Sequence, residues 1–242
     1  MAPPLPVMNL ILLFPSDFIP GTNRVVLAGR RHAHVTAVHR AVAGDVLAVG
    51  FENGQMGQGV VFRLTGSALE MDVVLTEAPP AKIPVILAVA LIRPPVFRRV
   101  LQTAAAMGVE AIHVFHACRV EKSFWLSTAL KESDVREQVI LGLEQARDTI
   151  LPEVVFHPSF RLFSENVLPV LLKGRTGFVG DPSGGKQDIF LPGPKVLVIG
   201  PEGGFIPREL DAFASAGYAA IGLGPRILRV ETAVAAFLSR FV

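Results

Sequence analysis

Cysteine is nearly absent from this 242-residue sequence, with Cys118 its only one. A lone cysteine excludes an internal disulfide framework and a cysteine-rich zinc site, and it suits a reducing cytoplasm. Its side chain is expected to be a small buried apolar filler. Long apolar runs are missing too. The longest, residues 10–14 and 85–92, fall far short of the ~20 residues that a membrane-crossing helix takes, so no membrane partner is expected. The N-terminus lacks the basic region of a signal peptide. Residues 1–7 are proline-rich and Met8 opens the first strand-like run, which reads as an unstructured extension or an upstream start. Acidic residues are absent between Asp17 and Asp45, while Arg24, Arg30, Arg31 and Arg40 occur there with His32, His34 and His39. That stripe is a candidate face for a phosphate backbone. A second basic cluster holds Arg93, Arg98, Arg99, Arg119 and Lys122. The alternative for both clusters is a solvated face balanced by acids elsewhere, and the net charge of +2 does not choose between them. The histidines lack a carboxylate or cysteine at a ligand spacing, so no metal is expected.

Half of the residues are hydrophobic, which argues against disorder, and the length allows one large domain or two small ones. Periodicity breaks near residues 76–84, in Thr76-Glu77-Ala78-Pro79-Pro80-Ala81-Lys82. The expected organisation is therefore a domain over residues 1–75, a linker over 76–83 and a second domain over 84–242. Short runs rich in Val, Leu and Phe, broken by turn residues, predict a small β-barrel before the linker. After it, apolar segments near 84–90, 111–115, 153–156, 176–180, 195–199 and 219–223 alternate with helical patterns. They predict an α/β fold with a mostly parallel sheet. One helix is expected to bury Val96, Val100, Leu101, Ala104 and Met107 and to stop at Gly108. Another is expected to begin at Asp134, with Glu137 completing a capping box, and to bury Val135, Val139, Ile140, Leu143 and Ala146.

The densest information lies between Val196 and Thr232. A continuous apolar run, Val196-Leu197-Val198-Ile199, meets Gly200-Pro201-Glu202-Gly203-Gly204. About twenty residues later Ala219-Ala220-Ile221-Gly222-Leu223 meets Gly224-Pro225. Glycines at the carboxyl ends of buried parallel strands let the backbone turn and approach a ligand, and in open α/β sheets that is where ligands bind. Pro207 predicts a helix start, with Leu210, Phe213 and Ala214 buried and Gly217 as the stop. A final helix carries Val234, Phe237, Leu238 and Phe241 on one face. Ser183-Gly184-Gly185-Lys186 lacks the spacing of a P-loop.

GPEGGF followed by LGPRILRVETA closely resembles the C-terminal signature of the RsmE family, RNA methyltransferases of the SPOUT superfamily. Gly44-Asp45, Met107-Gly108-Val109, Glu144-Gln145 and Leu151-Pro152-Glu153 extend the resemblance more loosely over the rest of the chain. The resemblance implies a PUA-like β-barrel domain for RNA binding. It also implies a SPOUT domain with a C-terminal trefoil knot, a homodimer, and S-adenosyl-L-methionine as methyl donor. The substrate it implies is N3 of a uracil in 16S ribosomal RNA of the small subunit. On the matched motifs, Gly200, Pro201, Glu202, Gly203 and Gly204 with Leu223, Gly224, Arg226, Ile227 and Leu228 would hold the cofactor, and Thr232 would add a hydroxyl. Arg229 fits a cation that stabilises charge on a uracil oxygen or holds a phosphate, and Glu231 or Glu202 a proton acceptor. Each has a plainer reading, since Glu231 opens the last helix and Arg226 or Arg229 would pair with it.

The chain departs from the family pattern where RNA is expected. Val96 and Ala106 replace lysine and glutamate, Met107 stands for leucine, Asp148 stands where arginine is frequent, with Arg147 one position early, and residues 119–125 are unlike the commonest form. These departures leave open a paralogue acting on another RNA. A catalytically silent RNA-binding or ribosome-assembly protein is the remaining alternative. Trp125 fits base stacking or core packing.

Overall fold

The computed structural model describes residues 9–185 and 192–241; the proline-rich start, Met8 and Lys186 lie outside the described residues. Two compact units form, one holding the chain up to Pro80 together with Ile140–Leu151, the other holding Ala81–Val139 and the chain from Pro152.

The first unit is a mixed five-stranded sheet. Its strands are β1 (Ile11–Leu13), β2 (Arg24–Leu27), β3 (Val46–Phe51), β4 (Met56–Leu64) and β5 (Leu69–Glu77), in the order β1-β3-β4-β5-β2. β1 runs parallel to β3 and the other pairs are antiparallel. Alternation buries Val25 and Leu27, Val61, and Leu69, Met71 and Val73 on one face, as a half-solvated antiparallel sheet requires. Helix α1 (Gly29–His34) runs on through a wide turn to His39 and ends at Arg40, which adopts φ 50°. Segment 140–151 is fastened by Thr149, whose hydroxyl donates to the Gly54 carbonyl at 2.5 Å, and by Asn53, whose Oδ1 accepts the Leu151 N–H at 2.9 Å.

The second unit is a six-stranded sheet in the order β11-β9-β10-β6-β7-β8, parallel at every pairing. Its strands are β6 (Ile83–Ala90), β7 (Val109–Phe115), β8 (Glu153–His157), β9 (Thr176–Gly185), β10 (Lys195–Ile199) and β11 (Ala219–Ile221). All six apolar segments of the sequence become these strands, because a strand covered on both faces has no polar face to break its apolar run. The helices of this unit are α2 (Pro94–Ala106), α4 (Phe160–Leu162), α5 (Leu168–Leu171), α6 (Pro207–Ser215) and α7 (Val230–Leu238), while α3 (Glu132–Ala146) belongs to it as far as Val139 and to the first unit from Ile140. No helix among the described residues is long and apolar enough to cross a membrane.

Several local expectations shift. α3 begins at Glu132, so Asp134 stands within its first turn rather than capping it, and the Asp134 carboxylate takes Arg98 at 2.6 Å instead. In α6 the buried partner of Phe213 is Glu209, while Ala214 is exposed. α2 also buries Phe97, which its helical period had room for. Cys118 is exposed, on the loop that leaves β7, and fills no core position.

Candidate functional site

The cavity lies at the carboxyl ends of β10 and β11, beside the middle of β9. Its volume is about 220 Å³, and its walls come from two turns, a segment of β9 and one face of α7. The first turn is Gly200 to Phe205. Phe205 is buried against Phe213, with ring centroids 4.9 Å apart, so its side chain fixes the far end of the turn in the core. Its ring lies 3.1 Å from where a Cβ on Gly200 would stand, and Gly204 adopts φ +69°. Both glycines are therefore set by the turn: the one by close approach, the other by a left-handed backbone that side chains avoid. The second turn, after β11, brings Leu223, Gly224, Arg226, Ile227 and Leu228 to the cavity. It ends where Val230 is buried and α7 begins, with Arg229 as the extended residue before the helix.

Of the residues proposed from sequence for the cofactor, Thr232 alone does not line this cavity; it is exposed on the first turn of α7. The third wall, Gly180-Asp181-Pro182 within β9, where its pairing with β11 shifts register, was not singled out from sequence. Its signal was a strand meeting glycine, as at Gly200. A Cβ on Gly180 would stand 2.7 Å from Ile199 and 2.8 Å from Phe237, so the wall closes only over glycine. The Asp181 carboxylate accepts from the Ser183 amide at 2.9 Å and from its hydroxyl at 2.5 Å, which shapes that segment.

Three members of the second basic cluster meet these loops. The Arg119 guanidinium donates to the Gly203 carbonyl, the Arg93 backbone N–H reaches Glu202 Oε1 at 3.4 Å, and Arg99 pairs with Glu231 at 3.2 Å. Lys122 is exposed on the loop beyond Arg119. Glu231 is held below the usual carboxylate range, first by a backbone N–H at the start of α7 and then by Arg99. A carboxylate so stabilised is a weaker proton acceptor.

The first basic cluster is largely neutralised by acids from outside the acid-free interval. Arg24 is bidentate with Asp72 at 2.8 Å and covers the Phe62 ring. Arg31 is bidentate with the buried Asp17 at 2.6 and 2.7 Å and donates also to the Leu12 carbonyl. Arg30 pairs with Glu144 at 2.8 Å. The His34 Nε2 is buried without a hydrogen-bond partner, and Arg40 is exposed. Trp125 is half-buried, donating to His116 Nδ1 at 2.9 Å and packing on Phe156. Asp148 is buried, and its Oδ1 accepts the amides of Thr149 and Ile150, so it closes a turn.

A family model described as an RNA methyltransferase domain matches residues 79–242. This chain belongs to that RNA methyltransferase family. Among curated relatives, ribosomal RNA small subunit methyltransferase E of Treponema pallidum is 27% identical over 245 residues, covering 95% of this chain and 88% of that protein. The protein of the same name from Mesomycoplasma hyopneumoniae is 30% identical over 165 residues, covering 65% and 69%. The crystal structure of the Neisseria gonorrhoeae protein of that name, bound to S-adenosyl methionine, aligns with a TM-score of 0.76 at 23% identity, covering 96% of this chain and 95% of that one. The methyltransferase match takes in every residue that lines the cavity.

Proposed function

We propose that this chain methylates 16S ribosomal RNA of the small ribosomal subunit with S-adenosyl-L-methionine, at N3 of a uridine. The observation that carries this reading is the cavity where two glycine turns, at the ends of the parallel strands β10 and β11, meet the Gly180 segment of β9, within the residues that match the methyltransferase family. The site fits the cofactor. Ile199, Leu223 and Phe237 give apolar walls for a flat adenine, backbone groups of the glycine turns give polar contacts, and Arg226 gives a cation for the methionine carboxylate. When bound, the cofactor supplies an electrophilic methyl group on a sulfonium leaving group. N3 would give up its proton in exchange for that methyl group, and a carboxylate of this chain would have to accept the proton.

The protein's part is to hold both reactants in line and to manage charge. Arg229, exposed beside Glu231 at the head of α7, is assigned to the developing negative charge on the uracil oxygen. Glu202, the exposed carboxylate that lines the cavity, is assigned as proton acceptor in preference to Glu231, whose affinity for a proton is depressed. Arg93, Arg119 and Lys122 are assigned to the RNA backbone near the cavity, and Arg40 to it in the first unit, where Arg24 and Arg31 are committed to Asp72 and Asp17. The first unit is read as a PUA-like β-barrel, supported by its strand alternation and by the bridge of Phe18 to Val25. The second is read as a SPOUT domain with a trefoil knot, supported by β10 lying between β9 and β6 while β11 lies outside β9. A cytoplasmic homodimer completes the reading, with the adjacent exposed Ile227 and Leu228 at the cavity assigned to the subunit contact. A target base would have to be unstacked to reach the methyl group.

Asp148 replaces a frequent arginine but works as a buried turn acceptor, so this departure does not by itself indicate another RNA target. Purified protein incubated with labelled cofactor and 16S RNA, naked or in the small subunit, should yield one N3-methyluridine. Transfer to neither substrate would refute the proposal.

A further inference from the structure

The turn from Gly200 to Phe205 is braced from outside the cavity by a residue to which nothing above gives a role in methyl transfer. Glu209, in the first turn of α6, is 3% exposed. Each of its oxygens accepts a backbone N–H from a different segment. Oε1 takes Cys118, on the loop after β7, at 2.7 Å; Oε2 takes Ile206, at the end of the glycine turn, at 3.0 Å. The residue after Cys118 closes the circuit, for Arg119 donates to the Gly203 carbonyl. The Arg119 stem also fills the space beside Gly203, with Cδ 3.1 Å from where a Cβ would stand. The connection thus runs from Glu209 through Cys118 and Arg119 to Gly203, and back through the turn to Ile206.

Burying a carboxylate is unfavourable unless its oxygens are bonded, and two short bonds to backbone N–H groups meet that need. A residue needed only to cap α6 requires one acceptor. The second acceptor reaches another loop, and that loop carries the arginine that grips the turn. We propose that Glu209 is a positioning residue for the methyl donor, acting through Cys118 and Arg119 to set the shape of the turn around it. This rests on the reading that the cavity holds S-adenosyl-L-methionine. Glutamine at 209 keeps one acceptor oxygen and presents an NH₂ group to the other backbone N–H, so one of the two bonds must break.

The test is calorimetric titration of S-adenosyl-L-methionine into the native chain, Glu209→Gln, Arg119→Ala and the double variant, below their unfolding midpoints, with kcat and KM measured alongside. Glu209→Gln should weaken cofactor binding about tenfold, the effect of one buried bond lost, and raise KM for the cofactor more than it lowers kcat. Arg119→Ala should weaken binding similarly, and the double variant no more than the larger single effect, because both act on one turn. If Glu209→Gln does not fold, Glu209→Asp replaces it; it keeps two acceptors on a side chain one methylene shorter and should show a smaller loss of the same kind. Binding by the Glu209 variant within twofold of native, or effects that add, would overturn the proposal. A native chain that does not bind the cofactor would instead overturn the functional reading on which it rests.

Discussion

Gly204→Ala isolates what backbone shape contributes to the cavity. Gly204 adopts φ +69°, and a Cβ there meets nothing nearer than the Arg119 guanidinium at 4.0 Å. The substitution therefore introduces backbone strain without a collision. Holding a non-glycine residue left-handed costs about 1–2 kcal/mol. If the turn relaxes when the cavity is empty and must return to this shape to bind, that energy is taken from binding, and the cofactor dissociation constant rises about five- to thirtyfold. If the turn is rigid without ligand, the same energy comes from stability, a fall of about 2–8 °C in Tm for a chain of this size. Gly108→Ala is the matched control. It has φ +75°, its nearest neighbour for a Cβ is the Ile83 amide nitrogen at 3.9 Å, and it lies between α2 and β7, away from the cavity lining. Thermal unfolding should show the loss of stability for Gly108→Ala with cofactor binding unchanged, while Gly204→Ala should show the same cost in Tm or in cofactor binding. Gly204→Ala with native Tm and native binding would refute the reasoning that glycine at 204 sets the shape of this turn.

Arg229→Ala should leave cofactor binding intact and reduce turnover at least about tenfold, while Glu231→Gln should reduce it much less; steady-state rates with 16S RNA decide. Arg31→Met should lower stability by about 3 kcal/mol in urea titration, because it leaves the buried Asp17 without its charge partner and with only the Phe14 N–H as donor. A loss of RNA affinity at unchanged stability would return Arg31 to the RNA face. His113 is pushed down to about 4, by burial and then by His157. The unfolded chain takes up that proton near pH ~6.5, so between there and about 4 the unfolded state binds more protons. Stability should fall as pH drops through that window and be insensitive to this group above it, and His113→Gln should flatten the slope in thermal unfolding.

What could be read in the sequence depended on how far apart the interacting parts lie. The six parallel strands were legible because burial on both faces writes itself as uninterrupted apolar residues, as in Val196 to Ile199. The two glycine turns were legible because each follows such a run directly. Gly180, within β9, carried the same signal of an apolar run meeting glycine, but only the sheet order, which sets β9 between β10 and β11, brings it to the cavity. Charge pairing was the least legible. The acid-free interval around Arg24, Arg30 and Arg31 is balanced by Asp72, Glu144 and Asp17, which local composition cannot assign as partners. Glu209 was hidden for a related reason: a carboxylate near a helix start reads as a cap, and its second bond goes to Cys118, 91 positions away. Nor does any composition shift mark segment 140–151 as belonging with the first unit.

The most direct test of the central claim is mass-spectrometric mapping of 16S ribosomal RNA from a strain lacking this gene beside its parent, with the purified protein and labelled cofactor added back. The account predicts that one N3-methyluridine disappears and is restored by the protein. Persistence of that mark in the deletion strain, with no methyl group transferred on addition, would contradict it.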